Sequence, residues 1–261
     1  MLQSTSKQEK NVRQLLESLR IAQDGVLLIH SSFKDLSRLG YKAETVIEAL
    51  VDYMATGTLL MPTMSWRSVN PKNPIFDELR TPSITGILTE IFRSQFAVRR
   101  SLHPTHSVAG RGQHSDALLS THHLDELPCS SQSPWGLLAN FDAQVMLLGV
   151  EMDSCTLVHH VEQIMAPELY MRPKETREQY TCRDRFSAEV KMNTRRTLRL
   201  PRNFWQFEDM LLADKKFHQH AIENTVCRSF SARDMVQVIT ETLSQQPDAI
   251  IAKLGQRSKM M

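Results

Sequence analysis

The sequence predicts an α/β protein built on a parallel, buried sheet. Two short apolar runs, Val26–Ile29 and Thr58–Met61, alternate with amphipathic helical patterns in the order helix, strand, helix, strand. Runs too apolar to be solvated on either face, joined by helices, are the mark of crossover-connected parallel strands. Both runs end in polar groups, His30-Ser31-Ser32 and Pro62-Thr63, where open α/β sheets bind their ligands. A third run, Gln144–Val150, delivers Glu151 and Asp153 in the same way.

Along the chain, Gln8–Ile21 sets Val12, Leu15, Leu16 and Leu19 at helical spacing, and Asp24-Gly25 turns this helix into the first strand. Ala43–Met54 is the next helix, with Val46, Ile47, Leu50 and Val51 on one face. Met64–Thr81 lacks periodicity and is too long for a plain connection, so it reads as a functional loop. Thr81-Pro82-Ser83 reads as a helix start, followed by Ile84, Ile87, Leu88, Ile91 and Phe92. Ser107–Ala109 is a short strand, Ser133-Pro134 caps a short helix, and Thr156–Ala166 is a helix. From Tyr170 to Arg202 ten Lys/Arg face four Asp/Glu, which reads as antiparallel strands or an extended basic arm. Phe204–Ala213 is a helix, Lys216–Phe230 a hairpin, and Ser231 caps the helix Met235–Leu243. The expected organisation is one domain over 1–261: an α/β core at 1–168, a basic β arm at 169–202, and a smaller mixed β/α portion at 203–261.

The 261 residues are 41% apolar and 23% charged, enough for a full core. A formal net charge of only +2 supplies no field for nucleic acid or an acidic membrane, so neither is an expected partner. No apolar run approaches the ~20 residues of a membrane span. Met1–Lys10 is polar and lacks the apolar core of a signal peptide. Four scattered cysteines without a CxxC pair fit reduced thiols, hence a cytoplasmic protein. The chain has no GxGxxG, GxxxxGK[ST] or GxSxG, which disfavours dinucleotide binding, nucleotide hydrolysis and the α/β-hydrolase elbow.

Functional groups concentrate in two stretches. Arg99–Gly110 holds two arginines, two histidines and two serines around Pro104. In Thr156–Glu162, His159 and Glu162 share one helix face, a carboxylate beside an imidazole that suits a general base near neutral pH. A surface His–Glu pair has the same spacing. His103 and His106 fit either a second imidazole at the site or metal ligation, although the H-E-x-x-H signature is absent. Cys155, four residues before His159, fits a thiolate nucleophile or a buried cysteine at a helix start. Arg99-Arg100 suits a phosphate grip or a solvated pair, and Ser31, Ser32 and Thr63 suit ligand contacts or helix caps. Trp66 and Trp135 fit a binding wall or the core.

The order of these motifs resembles the aminoglycoside N3-acetyltransferase family, coenzyme A-dependent enzymes distinct from the GNAT fold. The resemblance runs from about His30 to Glu162. It rests on His30-Ser-Ser, Gly57-Thr-Leu-Leu-Met-Pro-Thr63, Phe76-Asp77, Thr81-Pro-Ser-x-x-Gly86, Arg99-Arg-Ser-x-His-Pro-x-His-Ser107, Ser133-Pro134, Leu147-Leu-Gly149 and Thr156-x-x-His-x-x-Glu162. It implies an α/β/α sandwich around a largely parallel central sheet, acetyl-CoA as co-substrate, no metal, and antibiotic resistance by acetylation of an amine. On the same basis His159 deprotonates the acceptor amine, Glu162 orients His159 or contacts the acceptor, and His103 and His106 line the reacting centre. Ser31, Ser32, Thr63, Arg100, Ser101 and Ser107 contact the pantetheine or phosphates, and Asp77, Glu151 and Asp153 the acceptor.

The chain departs from the family's glycine-rich text at Arg38–Ala43 and Leu127–Gln132, and its basic arm carries a formal +6 where a polycationic acceptor wants acid. The same cleft therefore also suits a biosynthetic N-acyltransferase with a non-antibiotic amine. A metal- or cysteine-dependent hydrolase using His103, His106, Cys155 and His159, and a non-catalytic CoA-binding protein, are the readings from other classes. A homodimer through the C-terminal helices or the arm is left open.

Overall fold

On the central strand β1 (Val26–Ser31), Val26 and Leu28 join the core on one face of the sheet and Leu27 and Ile29 the core on the other. This alternation makes the fold a sandwich. The computed structural model describes residues 6–261; residues 1–5, half of the polar segment weighed above against a signal peptide, lie outside the described residues.

The other strands are β2 (Thr58–Pro62), β3 (Ile75–Asp77), β4 (Arg99–Arg100), β5 (Val108–Gly112), β6 (Gln144–Leu148), β7 (Glu178–Arg183), β8 (Glu189–Thr194), β9 (Pro201–Arg202), β10 (Phe217–Ile222), β11 (Thr225–Ser231) and β12 (Lys259–Met260). Seven of them form the main sheet in the order β10-β11-β6-β1-β2-β5-β4. The parallel ladders lie at its centre, β6 and β2 each pairing with β1, and antiparallel ladders flank them on both sides. Strands β3, β7 and β8 form a second, small sheet, so the basic arm docks on the loop after β2.

The helices are α1 (Lys7–Ser18), α2 (Lys34–Arg38), α3 (Ala43–Tyr53), α4 (Ile87–Ile91), α5 (Ser115–Leu119), α6 (Pro134–Leu137), α7 (Leu157–Met165), α8 (Pro167–Tyr170), α9 (Trp205–Ala213) and α10 (Ala232–Gln245). Helices α1, α3 and α4 pack on one face through Leu16, Ile47, Leu50 and Leu88. On the opposite face, α6, α7, α9 and α10 contribute Trp135, Val158, Phe207 and Met235. Among the described residues no helix is long and apolar enough to cross a membrane.

One predicted helix starts later than its pattern and runs on past it, α4 continuing directly into a π-helical turn over Phe92–Phe96. The Thr81-Pro-Ser start does not open a helix; α4 begins only at Ile87, after Gly86 at φ +121°. The intervening turn is held instead by hydroxyls, with Ser83 Oγ 2.9 Å from Thr89 Oγ1 and Thr85 Oγ1 donating to the Pro62 carbonyl at 2.6 Å. Ser and Thr side chains competing for backbone partners outweigh a short apolar repeat here.

Candidate active site

Helix α7 begins just beyond the C-terminal end of β6 and carries His159 and Glu162 one turn apart. His159 Nδ1 lies 2.7 Å from Glu162 Oε1. Arg202 Nε donates to Oε2 at 2.9 Å and Nη2 to Oε1 at 3.0 Å, and both side chains are fully buried. An acid gripped by such a fork is a carboxylate, an acceptor only, so the imidazole must donate from Nδ1. Its Nε2 is left with a lone pair and has no partner among the described residues. The ring keeps 14% of its side-chain surface exposed and packs edge-on against Phe204 at 5.3 Å. His160 turns away, Nδ1 lying 2.7 Å from the Cys129 carbonyl oxygen.

Two more imidazoles lie within electrostatic reach of His159. Burial pushes His30 and His106 down to about 3, and a proton on His159 would press each in the same direction. Both are therefore neutral. His30, at the end of β1, stacks on the buried Trp135 at 5.9 Å; neither His30 Nε2 nor Trp135 Nε1 has a partner among the described residues. His106 Nδ1 lies 2.8 Å from Thr105 Oγ1 and its ring rests against Trp66, which is 40% exposed.

Past the end of β1, from the residue after His30 onward, opens a cleft of about 500 Å³ lined by Ser31, Ser32, Lys34, Ser37, Thr85 and Gly86 with Phe33, Ile84 and Ile87. It combines hydroxyls, one cation and apolar walls, and a Cβ on Gly86 would lie 3.9 Å from the Ser31 carbonyl oxygen. Of the six residues assigned to the cofactor from sequence, Ser31 and Ser32 line it. The other four do not; they are buried elsewhere. Arg100 Nε donates to Thr63 Oγ1 at 3.1 Å and Ser107 Oγ at 3.0 Å, and its Nη atoms donate to the carbonyls of Thr63, Glu78 and Thr81. Its guanidinium sits 4.7 Å over the Phe76 ring. This clamp ties β2, β4 and β5 to the loop before α4 and engages four of the five guanidinium N–H groups within the protein. Ser101 Oγ is bound by His122 Nδ1 at 2.8 Å and by the Val108 amide at 2.9 Å.

His103 is likewise internal. Its Nδ1 accepts from the amides of Thr105 and His106 at 3.2 and 3.0 Å, its ring stacks on His122 at 4.5 Å, and Nε2 lies 3.4 Å from Thr194 Oγ1 on β8. It folds the H-P-T-H turn and anchors the arm, while His106 alone of that pair faces the His159 side. Asp77 is spent on a turn, Oδ1 accepting from the amides of Leu79 and Arg80 at 3.0 and 2.9 Å. Glu151 accepts from Trp205 Nε1 at 3.3 Å and pairs with Arg257, and Asp153 pairs with Lys259 at 2.7 Å. Much of the arm's positive charge is neutralised locally: Arg183 pairs with Glu189, Arg185 with Glu78, Arg196 with Glu178 and Arg202 with Glu162. Cys155 is buried, and burial pushes its thiol up to about 12. Among the described residues no three His, Cys, Asp or Glu side chains converge as metal ligation requires.

Reasoning from sequence did not find Arg202, Phe204, Lys34 or Thr85. Only Gly86, in Thr81-Pro-Ser-x-x-Gly86, carried a signal in the text.

Fold and site together define an α/β sandwich with a cleft at the end of its central parallel strand and a carboxylate-oriented imidazole on the helix that follows the neighbouring strand β6. The sequence model of the aminoglycoside 3-N-acetyltransferase family matches residues 28–244, and the chain belongs to that family. It is 30% identical over 175 residues to the SPbeta prophage-derived aminoglycoside N(3')-acetyltransferase-like protein YokD of Bacillus subtilis (strain 168), covering 59% of this chain and 64% of that protein. It is 35% identical over 167 residues to aminoglycoside N(3)-acetyltransferase IV of Salmonella sp, covering 62% of this chain and 60% of that one. The matched stretch thus spans less than two thirds of either relative. In three dimensions, the apoenzyme of aminoglycoside acetyltransferase AAC(3)-IVa superposes with a TM-score of 0.75 at 25% identity, over 94% of this chain and 91% of that one. A variant of the same enzyme in complex with a gentamicin shares the fold at a TM-score of 0.81 and 23% identity, over 97% and 94% of the two chains.

Proposed function

We propose that this chain is an acetyl-CoA-dependent N-acetyltransferase acting on an amine of an aminoglycoside or related amino sugar. The observation that carries it is the His159–Glu162 pair at 2.7 Å, which leaves an imidazole lone pair free, together with a cleft at the end of β1, next in sequence to His30, whose hydroxyls suit a pantetheine chain. Membership of the family and the acetyltransferase names of the relatives support the same reading.

In this mechanism Ser31, Ser32 and Thr85 hydrogen-bond the pantetheine, Gly86 leaves it room, and Lys34 meets a phosphate. His159 Nε2 takes a proton from the acceptor amine as the nitrogen attacks the thioester carbonyl. The C–N bond forms, the C–S bond breaks, and His159 returns the proton to the departing sulfur. No covalent enzyme intermediate is needed, because both reactants are held in contact. Neutral His106 adds a polar wall that does not repel an ammonium group.

The test is release of free CoA thiol on mixing the protein with acetyl-CoA and a panel of amines. Thiol release with an aminoglycoside supports the reading; no release with any amine and no CoA binding overturns it. One observation favours a less cationic, biosynthetic acceptor as a second reading: Glu151 and Asp153 are already paired with Arg257 and Lys259. Unchanged aminoglycoside susceptibility of cells expressing an active protein selects it.

A further inference from the structure

We propose that Arg202 is a positioning residue for the transfer, setting the tautomer of His159 through Glu162. The inference rests on the reading of His159 as the base.

Arg202 stands forty residues from Glu162 in sequence yet closes a two-bond fork on it, Nε to Oε2 at 2.9 Å and Nη2 to Oε1 at 3.0 Å. Oε1 is the same atom that takes the His159 Nδ1 hydrogen at 2.7 Å. The guanidinium is itself held: Nη1 donates to the Leu198 carbonyl at 3.0 Å and the Met261 carbonyl at 3.3 Å, and the group lies 5.5 Å from the centre of the Tyr170 ring. Its backbone is fixed by the β9–β12 ladder, where Arg202 pairs with Lys259, and by a bridge to Ile251. The C-terminal segment thereby fixes the orientation of the base.

What Arg202 changes is the identity of the donor in the His159–Glu162 bond. A carboxyl out of water and without a cation takes up a proton. A protonated Glu162 would donate to Nδ1, the imidazole hydrogen would move to Nε2, and the lone pair the amine needs would be gone. With the carboxylate held ionised by the fork, Nδ1 carries the hydrogen and Nε2 is the base. A lysine can supply the charge but not two parallel donors, so it keeps the tautomer while loosening the geometry.

The test uses Arg202→Met and Arg202→Lys, each alone and combined with Glu162→Gln, after circular dichroism has shown that they fold. Long-range proton–nitrogen NMR of histidine-labelled protein reads the tautomer without any turnover. The expected result is an Nδ1-bound hydrogen on His159 in the parent protein and in Arg202→Lys, moving to Nε2 in Arg202→Met. Steady-state kinetics read the consequence: Arg202→Met lowers kcat by roughly 100-fold or more with acceptor KM within about twofold, and costs under about threefold when Glu162 is already Gln. Should Arg202→Met not fold, Arg202→Lys decides the question by a fall in kcat of about tenfold at unchanged KM. The proposal is overturned if folded Arg202→Met keeps the Nδ1 hydrogen, if its loss is equally large on the Glu162→Gln background, or if Arg202→Lys turns over at the parent rate. Absence of turnover in the parent protein would instead remove the acetyltransferase reading, and the spectra would still decide the role of Arg202.

Discussion

His159 Nδ1 and Glu162 Oε1 stand 2.7 Å apart on one turn of α7, and the Glu162 carboxylate has no surface open to water. Solvent therefore cannot compete for that bond, and the orientation of the imidazole is set before any ligand arrives. Such preorganisation would spare the proposed transfer the cost of arranging its base.

The buried histidines make the fold sensitive to acid. Burial holds His30, His106 and His122 at about 3 and His103 well below the usual imidazole range. Their pKa in the unfolded chain is about 6.5, so below that pH the unfolded state binds protons that the folded state refuses. Stability is then lost as pH falls from about 6.5 toward 3, by up to roughly 1.4 kcal/mol per pH unit for each histidine. Urea midpoints are expected to drop steadily from about pH 7 to pH 5; a flat series contradicts this.

Arg100 belongs to the scaffold. Arg100→Met strands the carbonyls of Thr63, Glu78 and Thr81 and is expected to cost about 3 kcal/mol or more in chemical denaturation. Calorimetric affinity of the folded variant for acetyl-CoA should stay within about threefold of the parent. A variant of normal stability that binds acetyl-CoA poorly would return Arg100 to the phosphate.

Among the described residues, Lys34 is the one cation lining the cleft. Lys34→Glu should weaken acetyl-CoA binding about tenfold at low salt, less at high salt, with kcat at saturation unchanged. Equal affinity for both proteins would place the phosphates elsewhere.

Glu151 and Asp153 are paired with Arg257 and Lys259, so an acceptor cation that uses these acids must displace them. Both lysine and arginine are half exposed, so the effect is modest and screened. The double variant Arg257→Gln/Lys259→Gln is expected to lower KM for gentamicin about threefold at low ionic strength, the difference closing as salt is added. An unchanged KM at every ionic strength would show that the acceptor does not use these acids.

With its thiol pushed up to about 12, Cys155 stays protonated at neutral pH. Cys155→Ala should therefore retain full turnover, and iodoacetamide should leave Cys155 of the native protein unmodified by mass spectrometry. Loss of turnover in a folded variant would revive the cysteine-nucleophile reading.

What could be read from the sequence divides along a physical line. His159 and Glu162 were legible together because one helix turn brings them together whatever the rest of the chain does. That Ser31 and Ser32 line a cleft was legible because apolar strands of a parallel sheet place their C-terminal ends at an open edge. Arg100, Ser107 and Thr63 have the residue types of a phosphate site, but the same donors equally satisfy buried carbonyls, and only the packing of β2 against β5 shows that they do. Asp77 is different: an aspartate with amides two and three residues on is a local turn signal present in the text. Arg202 had no local signal, since one arginine in a run of ten basic residues gains its meaning from a contact across forty positions.

The central claim is that His159 is the base for acyl transfer. The most direct measurement is kcat of His159→Asn at saturating acetyl-CoA and aminoglycoside, with acetyl-CoA affinity measured alongside by calorimetry. The expected result is a fall in kcat of roughly 100-fold to 10,000-fold with acetyl-CoA bound as tightly as before. A folded variant that turns over within a few-fold of the parent would contradict it.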